Sequence, residues 1–168
     1  MARRGTEADP TLIPYEFIFD LAGGYYNTPS RRFTFSKEAN FAVLRRMKQA
    51  GIKMGIGTDL VTDWFRALPY PYIKEMKNFA EAGFTVPETL VIATRTNAEI
   101  LAMADKLGTL EPGKLADAIV VDGRPDRNLD DLTKIELVIR DGFIVVENGR
   151  VSIPRHMTTM PKKLGSSF

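Results

Sequence analysis

The stretch from Ser36 to Gly57 limits what this chain can fold into more than any other. Phe41, Leu44 and Met47 recur every three residues behind Ser36, the spacing of one apolar helix face. Ser36 suits the N-cap of a helix over 37–50, and Arg45, Arg46 and Lys48 fall near its C-terminal end, where the helix dipole favours cations. Gly51 is the expected left-handed stop. Ile52-Lys53-Met54-Gly55-Ile56-Gly57 follows at once. It is short, apolar and bounded by glycine, as a parallel strand buried on both faces is. A helix that returns directly into such a strand implies an α/β fold.

The rest of the chain extends that pattern. Residues 11–19 are apolar and aromatic, and Pro14 interrupts them; a short strand followed by irregular chain is expected. Gly23-Gly24 through Pro29-Ser30 has loop composition. A second helix is expected over 72–82, stopped by Gly83. Thr85-Val86-Pro87-Glu88 opens a third, with Thr85 as cap, Glu88 bonding back and Pro87 in the first turn. It should run to about Met103, with a break near Thr96-Asn97. From Gly108 the texture turns to β: a strand at Ala118-Ile119-Val120-Val121, a turn at Asp122-Gly123-Arg124-Pro125, and a hairpin of 135–140 and 143–147 around Asp141-Gly142. Asn148-Gly149 is a further turn before Val151.

Composition removes several function classes. The 168 residues carry 23 basic and 21 acidic side chains, a net charge of +2, and the charges are interspersed, so no nucleic-acid groove or polybasic membrane patch is indicated. There is no cysteine, which excludes disulfides and thiolate metal sites. Apolar runs fall far short of a membrane span. Residues 1–7 hold a basic pair without the apolar stretch of a secretory signal. A soluble, cytoplasmic protein is expected.

Two motifs go beyond pattern. Gly57-Thr58-Asp59 ends the apolar strand. Gly108-Thr109-Leu110-Glu111-Pro112-Gly113-Lys114-Leu115-Ala116-Asp117 runs into Ala118-Ile119-Val120-Val121-Asp122, preceded by Ala93-Thr94 and Asn97-Ala98. Together, over about residues 9–150, these resemble the amidohydrolase superfamily, with the nearest likeness to its imidazolonepropionase-like and Xaa-Pro-dipeptidase-like branch.

The resemblance implies the last two strand–helix units of a (β/α)8 metal-dependent hydrolase barrel over 9–107, the C-terminal part of its small β-sandwich over 108–151, and tails at 1–8 and 152–168. In that family the metal ligands stand at the C-terminal ends of the barrel strands. They are a His-x-His pair, a carboxylate or carboxylated lysine, two further histidines, and an aspartate from the eighth strand. By this match residues 11–19 form the seventh strand and Asp59 is the eighth-strand aspartate, a metal ligand and the general base for a water acidified by zinc or another divalent metal.

This chain has one histidine, His156, in the tail, and no His-x-His pair. It therefore carries at most one ligand of that site, and no tightly held metal is expected from the chain alone. The expectation is the C-terminal part of a C–N hydrolase acting on a small-molecule amide, inactive by itself, either as a fragment or as a natural truncated product. The alternative is a non-catalytic module acting as scaffold or binding partner. Two barrel strands cannot close a barrel, so a homo-oligomer or association with a missing N-terminal half is expected.

The other charged or aromatic residues read as structure. His156 reads as solvated, Asp63 and Trp64 as surface loop. Glu16 and Asp20, four apart, would pair only on a helix, which Pro14 and the β-rich context oppose. Phe17, Phe19, Tyr25 and Tyr26 read as core or interface. The Glu111–Asp117 motif reads as a structural turn, with Asp117 fixing backbone.

Overall fold

The computed structural model describes residues 2–16, 36–59 and 70–152. Helices and turns make up its first part: α1 (Ile13–Glu16), α2 (Lys37–Gln49), α3 (Pro71–Glu81), α4 (Val86–Val91) and α5 (Asn97–Ile100), the last two joined by a π turn at Ile92–Thr96. Four strands follow: β1 (Ala118–Val121), β2 (Ile135–Arg140), β3 (Phe143–Glu147) and β4 (Arg150–Val151). They form one antiparallel sheet in the order β1-β2-β3-β4. The mixture of helix and strand is the α/β composition that the sequence implies.

The helices form where their caps predict. Ser36 Oγ accepts the Ala39 N–H at 3.1 Å and starts α2, which buries Phe41 and Leu44 and packs Met47 against the same cluster. At α4 the capping box is complete: Thr85 Oγ1 accepts from Glu88 N, and Glu88 Oε2 accepts from Thr85 N at 2.7 Å. Lys48 ties α2 to this corner through Glu88 at 2.9 Å and the Gly83 carbonyl at 3.1 Å, with its ammonium over the Phe84 ring. The third helical stretch ends at Ile100 rather than Met103, because Ala102 turns left-handed, with φ 54°. The expected break near Thr96-Asn97 is the π turn, which widens the helix without interrupting it.

One core joins these pieces. Leu12, Phe41, Leu44, Met54, Ile56, Met76, Phe79, Ala82, Phe84 and Leu129 pack together. Each large member contributes about 1.5–3 kcal/mol by leaving water. Leu129 comes from the 3-10 turn Leu129–Thr133 between β1 and β2, so the β module is anchored to the helices by a side chain from its own connection.

Two expected strands differ. Within the described part of 11–19, Ile13–Glu16 is a helical turn; 17–19 lie outside the described residues. The cause is distant in sequence. Glu75, fully buried on α3, aims its carboxylate at this turn and accepts from Leu12 N at 2.7 Å and Ile13 N at 2.8 Å. Those amides are free for it because the first N–H groups of a helix have no partner within the helix. Residues 52–57 are extended, and among the described residues they form one parallel bridge, Ala8 with Met54, rather than a ladder. The chain that pairs with this segment is thus at Ala8, ahead of 11–19 and inside what reads in sequence as a tail.

The β module matches its turn signals. Asp141-Gly142 and Asn148-Gly149 both have positive φ at both positions, the two-residue hairpin turn that suits twisted strands. Asp117 Oδ1 accepts the Asp141 N–H at 2.6 Å, so this carboxylate does fix backbone. Lys114 hydrogen-bonds Thr109 Oγ1 and stands 3.7 Å from Glu111, folding the Glu-Pro-Gly-Lys turn on itself. Gly108 needs to be glycine: its φ is +91°, and a Cβ there would lie 2.7 Å from Ala98 Cβ.

The buried Glu75 clasp is the test of this fold. Glu75→Ala would strand two buried N–H groups that now face a carboxylate. A loss of about 3 kcal/mol is expected, with Glu75→Gln losing roughly half as much because one acceptor survives. Urea unfolding of the two variants checks both values.

Candidate functional site

The site grows out of the Ala8–Met54 bridge. Ala8 N donates to Lys53 O at 3.1 Å, and Gly55 N donates to Ala8 O at 2.8 Å. The pairing is parallel, so both segments leave it on the same side. Asp9 emerges from one, and Gly57-Thr58-Asp59 from the other. Asp9 Oδ1 then accepts the Gly57 N–H at 2.9 Å, carrying on with a side chain the pairing that the backbone stops. Asp59 is exposed and left-handed, with φ 44°, a conformation that aspartate tolerates better than most residues.

A second group meets the strand from the helices. Asn97, at the start of α5, accepts the Ile56 N–H on Oδ1 at 2.9 Å and returns Nδ2 to the Ile56 carbonyl at 2.9 Å. Tyr72 on α3 donates its hydroxyl to Ala93 O and accepts from Asn97 Nδ2, both at 3.2 Å. Partial burial, then the charge of Asp9, push the Tyr72 phenol above the usual tyrosine range, against the opposing Asn97 hydrogen bond.

Of the residues that the sequence singles out, Asp59 stands at the end of this segment. Asp117 is in the β module, bonded to the hairpin. Glu16 lies in α1; its intended partner Asp20, the aromatics Phe17, Phe19, Tyr25 and Tyr26, the loop pair Asp63 and Trp64, and His156 lie outside the described residues. Asp9, Tyr72 and Glu75 were not singled out in sequence, and Asn97 entered only as part of a motif. Among the described residues, no group of three or more histidine, cysteine, aspartate and glutamate side chains could hold a metal ion. With Asp9 turned to a backbone amide and Asp59 alone at its turn, the donors described here do not fit a divalent metal by themselves. Among the described residues no helix is long and apolar enough to cross a membrane.

Comparison with known proteins gives this geometry its context. Residues 27–145 match the model of the amidohydrolase family. The chain belongs to the amidohydrolase family. An imidazolonepropionase from Mesorhizobium japonicum is 33% identical over 146 residues, which cover 85% of this chain and 28% of that protein. One from Porphyromonas gingivalis is 27% identical over 117 residues, 68% of this chain and 27% of that protein. Among solved structures, an amidohydrolase superposes with a TM-score of 0.73 at 35% identity, covering 87% of this chain and 36% of that one. A Xaa-Pro dipeptidase with bound methionine in its active site superposes with a TM-score of 0.71 at 28% identity, covering 86% and 35%. This amidohydrolase chain thus spans about a quarter to a third of the length of the relatives it matches.

The Tyr72 environment is measurable. A phenol whose folded pKa is raised above the ordinary 10.0 binds its proton more tightly when folded. Its contribution to stability is complete below that ordinary value and is lost as pH rises through the folded value. Ultraviolet difference titration of the wild type against Tyr72→Phe should show one late-ionising tyrosine. Tyr72→Phe should also flatten the alkaline fall in stability.

Proposed function

We propose that this chain supplies the C-terminal part of an amidohydrolase that cleaves a C–N bond in a small amide, cyclic or dipeptide-like, and that Asp59 is its metal ligand and general base. The observation that carries the reading is the parallel Ala8–Met54 bridge, with Asp59 at the exit of the segment that α2 feeds. Barrel enzymes of this kind work at the C-terminal ends of parallel strands. On this reading the partial barrel, which the sequence places over 9–107, begins one residue earlier with its seventh strand at Ala8–Asp9 rather than at 11–19, and residues 108–151 belong to the small sandwich.

The substrate class follows the relatives, one named for imidazolonepropionate chemistry and another for Xaa-Pro dipeptides. Zinc or another divalent ion would need ligands from outside the residues described here. One aspartate of a site that also needs several imidazoles holds no divalent ion tightly, so the chain alone is expected to be inactive. Dialysed protein should hold zinc far below one per chain. Hydrolysis of dipeptides, lactams and hydantoin-type rings should sit at background, and Asp59→Ala should leave it there. Stoichiometric zinc, or turnover that Asp59→Ala abolishes, would show a site completed within or between copies of this chain. The coding sequence upstream of Met1 is the sharper test. An in-frame His-x-His pair with two later spaced histidines is expected. A ribosome-binding site and stop codon directly ahead of Met1 would transfer the reading to a non-catalytic scaffold.

The sheet favours association on either reading. Cross-strand partners share a face, so Ile119, Val138, Val146 and Val151 form one apolar row across all four strands. Val120 and Leu137, and Ile139 with Ile144, are apolar on the other face. No residue of these strands is fully buried, and Ile119, Ile144 and Val151 are 50%, 51% and 67% exposed. A sheet that leaves apolar side chains exposed on both faces is an association surface. We infer a homo-oligomer, or pairing with an N-terminal half made separately. Sedimentation at micromolar concentration should show a dimer or larger; a stable monomer would overturn the homo-oligomer and leave only pairing with a separate N-terminal half.

A further inference from the structure

We propose that Asn97 and Tyr72 are positioning residues that set the backbone conformation of Asp59, with the Asn97 amide acting as a one-residue substitute for a neighbouring strand. The use made of Asp59 rests on the function proposed above; the geometry does not.

A strand turns successive N–H and C=O pairs to alternate edges. Lys53 O, Gly55 N and Gly57 N face the Ala8–Asp9 side and are met there. Ile56 therefore faces the opposite edge. There its N–H and C=O are both taken by the Asn97 side chain, each at 2.9 Å, the pair of bonds a strand neighbour would supply. The approach is close: a Cβ on Gly55 would lie 2.8 Å from Asn97 Oδ1 and 3.2 Å from Ile100 Cδ1. Glycine at 55 is what admits the helix.

Two further features aim the amide. The π turn at Ile92–Thr96 inserts one extra residue ahead of Asn97. Without it, the side chain would be rotated by about 100° around the helix. Tyr72 then fixes which end of the amide faces which group. Its hydroxyl hydrogen is used on Ala93 O, so its lone pair faces Asn97 and requires Nδ2 there. Oδ1 is left for Ile56 N. Ile56-Gly57 is held by Asn97 on one edge and by Asp9 on the other, and Asp59, two residues after Gly57, is left-handed.

The test uses isotopically labelled full chain as wild type, Asn97→Leu and Tyr72→Phe. Asn97→Leu keeps the side-chain size and deletes both hydrogen bonds. Exchange protection of the Ile56 amide should fall at least about tenfold relative to Val138 in the sheet. The Asp59 α-carbon shift and amide coupling should move toward unstructured values. The late tyrosine ionisation should move later still, since the Asn97 bond is the one influence that lowers it, and a packing role alone would not do this. Tyr72→Phe removes one oxygen and should move Asp59 in the same direction by less. If Asn97→Leu fails to fold, Tyr72→Phe alone decides. Asp59 resonances unmoved in a folded variant that has lost Ile56 protection would overturn the proposal. Failure of the proposed function would appear as a missing His-x-His pair in the coding sequence ahead of Met1 and would leave these shifts intact.

Discussion

The carboxylate of Glu75 is the contact on which the rest of the helical part depends. It sits fully buried and receives the amides of Leu12 and Ile13, more than sixty residues earlier in the chain. Burying a carboxyl group is costly unless hydrogen bonds replace its water. Here each N–H belongs to the first turn of a helix, where the dipole also favours negative charge. The clasp fixes Leu12 and Ile13 against the core, and through them the direction of the chain at Ala8 and Asp9. A single parallel bridge is too little to hold that segment alone. With Glu75 in place, Ala8 reaches Met54 and Asp9 reaches Gly57.

The same device recurs. Where a complete sheet would meet a strand's N–H groups with other strands, this chain meets them with side chains: Asp9 at Gly57, Asn97 at Ile56 and Asp117 at the hairpin amide of Asp141. Each is a short acceptor, and each costs little conformational entropy to hold. The outcome differs between the two parts of the molecule. The helices share one core and bury it. The four-stranded sheet is joined to them by Leu129 and leaves apolar side chains on both faces.

What could be read in the sequence follows from the range of the forces involved. The Ser36 and Thr85 caps, the two Xaa-Gly hairpin turns and the three-residue spacing of α2 are local, and they stand where the residues imply. The Glu-Pro-Gly-Lys motif with Asp117 was legible both as family and as structure. The turn Ile13–Glu16 was not, because β-rich composition was overruled by a carboxylate from α3. Nor was the pairing of 52–57, which among the described residues is met by one backbone bridge at Ala8 and by the side chains of Asp9 and Asn97. Signals for both existed. Glu75 falls on the apolar stripe of α3 beside Met76 and Phe79, where a solvated glutamate does not belong. Asn97 lies inside a helical stretch that asparagine disfavours.

These facts bear on why Asp59 stands where it does. A residue with positive φ at the end of an extended segment carries a local penalty unless its surroundings determine it. The preceding backbone is gripped on both edges, by Asp9 and by Asn97, and Tyr72 holds the second grip in one orientation. If the segment served only to fill a core, Met54 and Ile56 would suffice, since both are already buried. The additional polar grips act on the two residues nearest the exit, Ile56 and Gly57, and contribute nothing to apolar burial. They direct the chain rather than stabilise its interior, and what they direct is one exposed carboxylate. That asymmetry, core side chains in the middle of the segment and polar clamps at its end, is the physical ground for the proposal that Asp59 is a functional residue of this amidohydrolase chain.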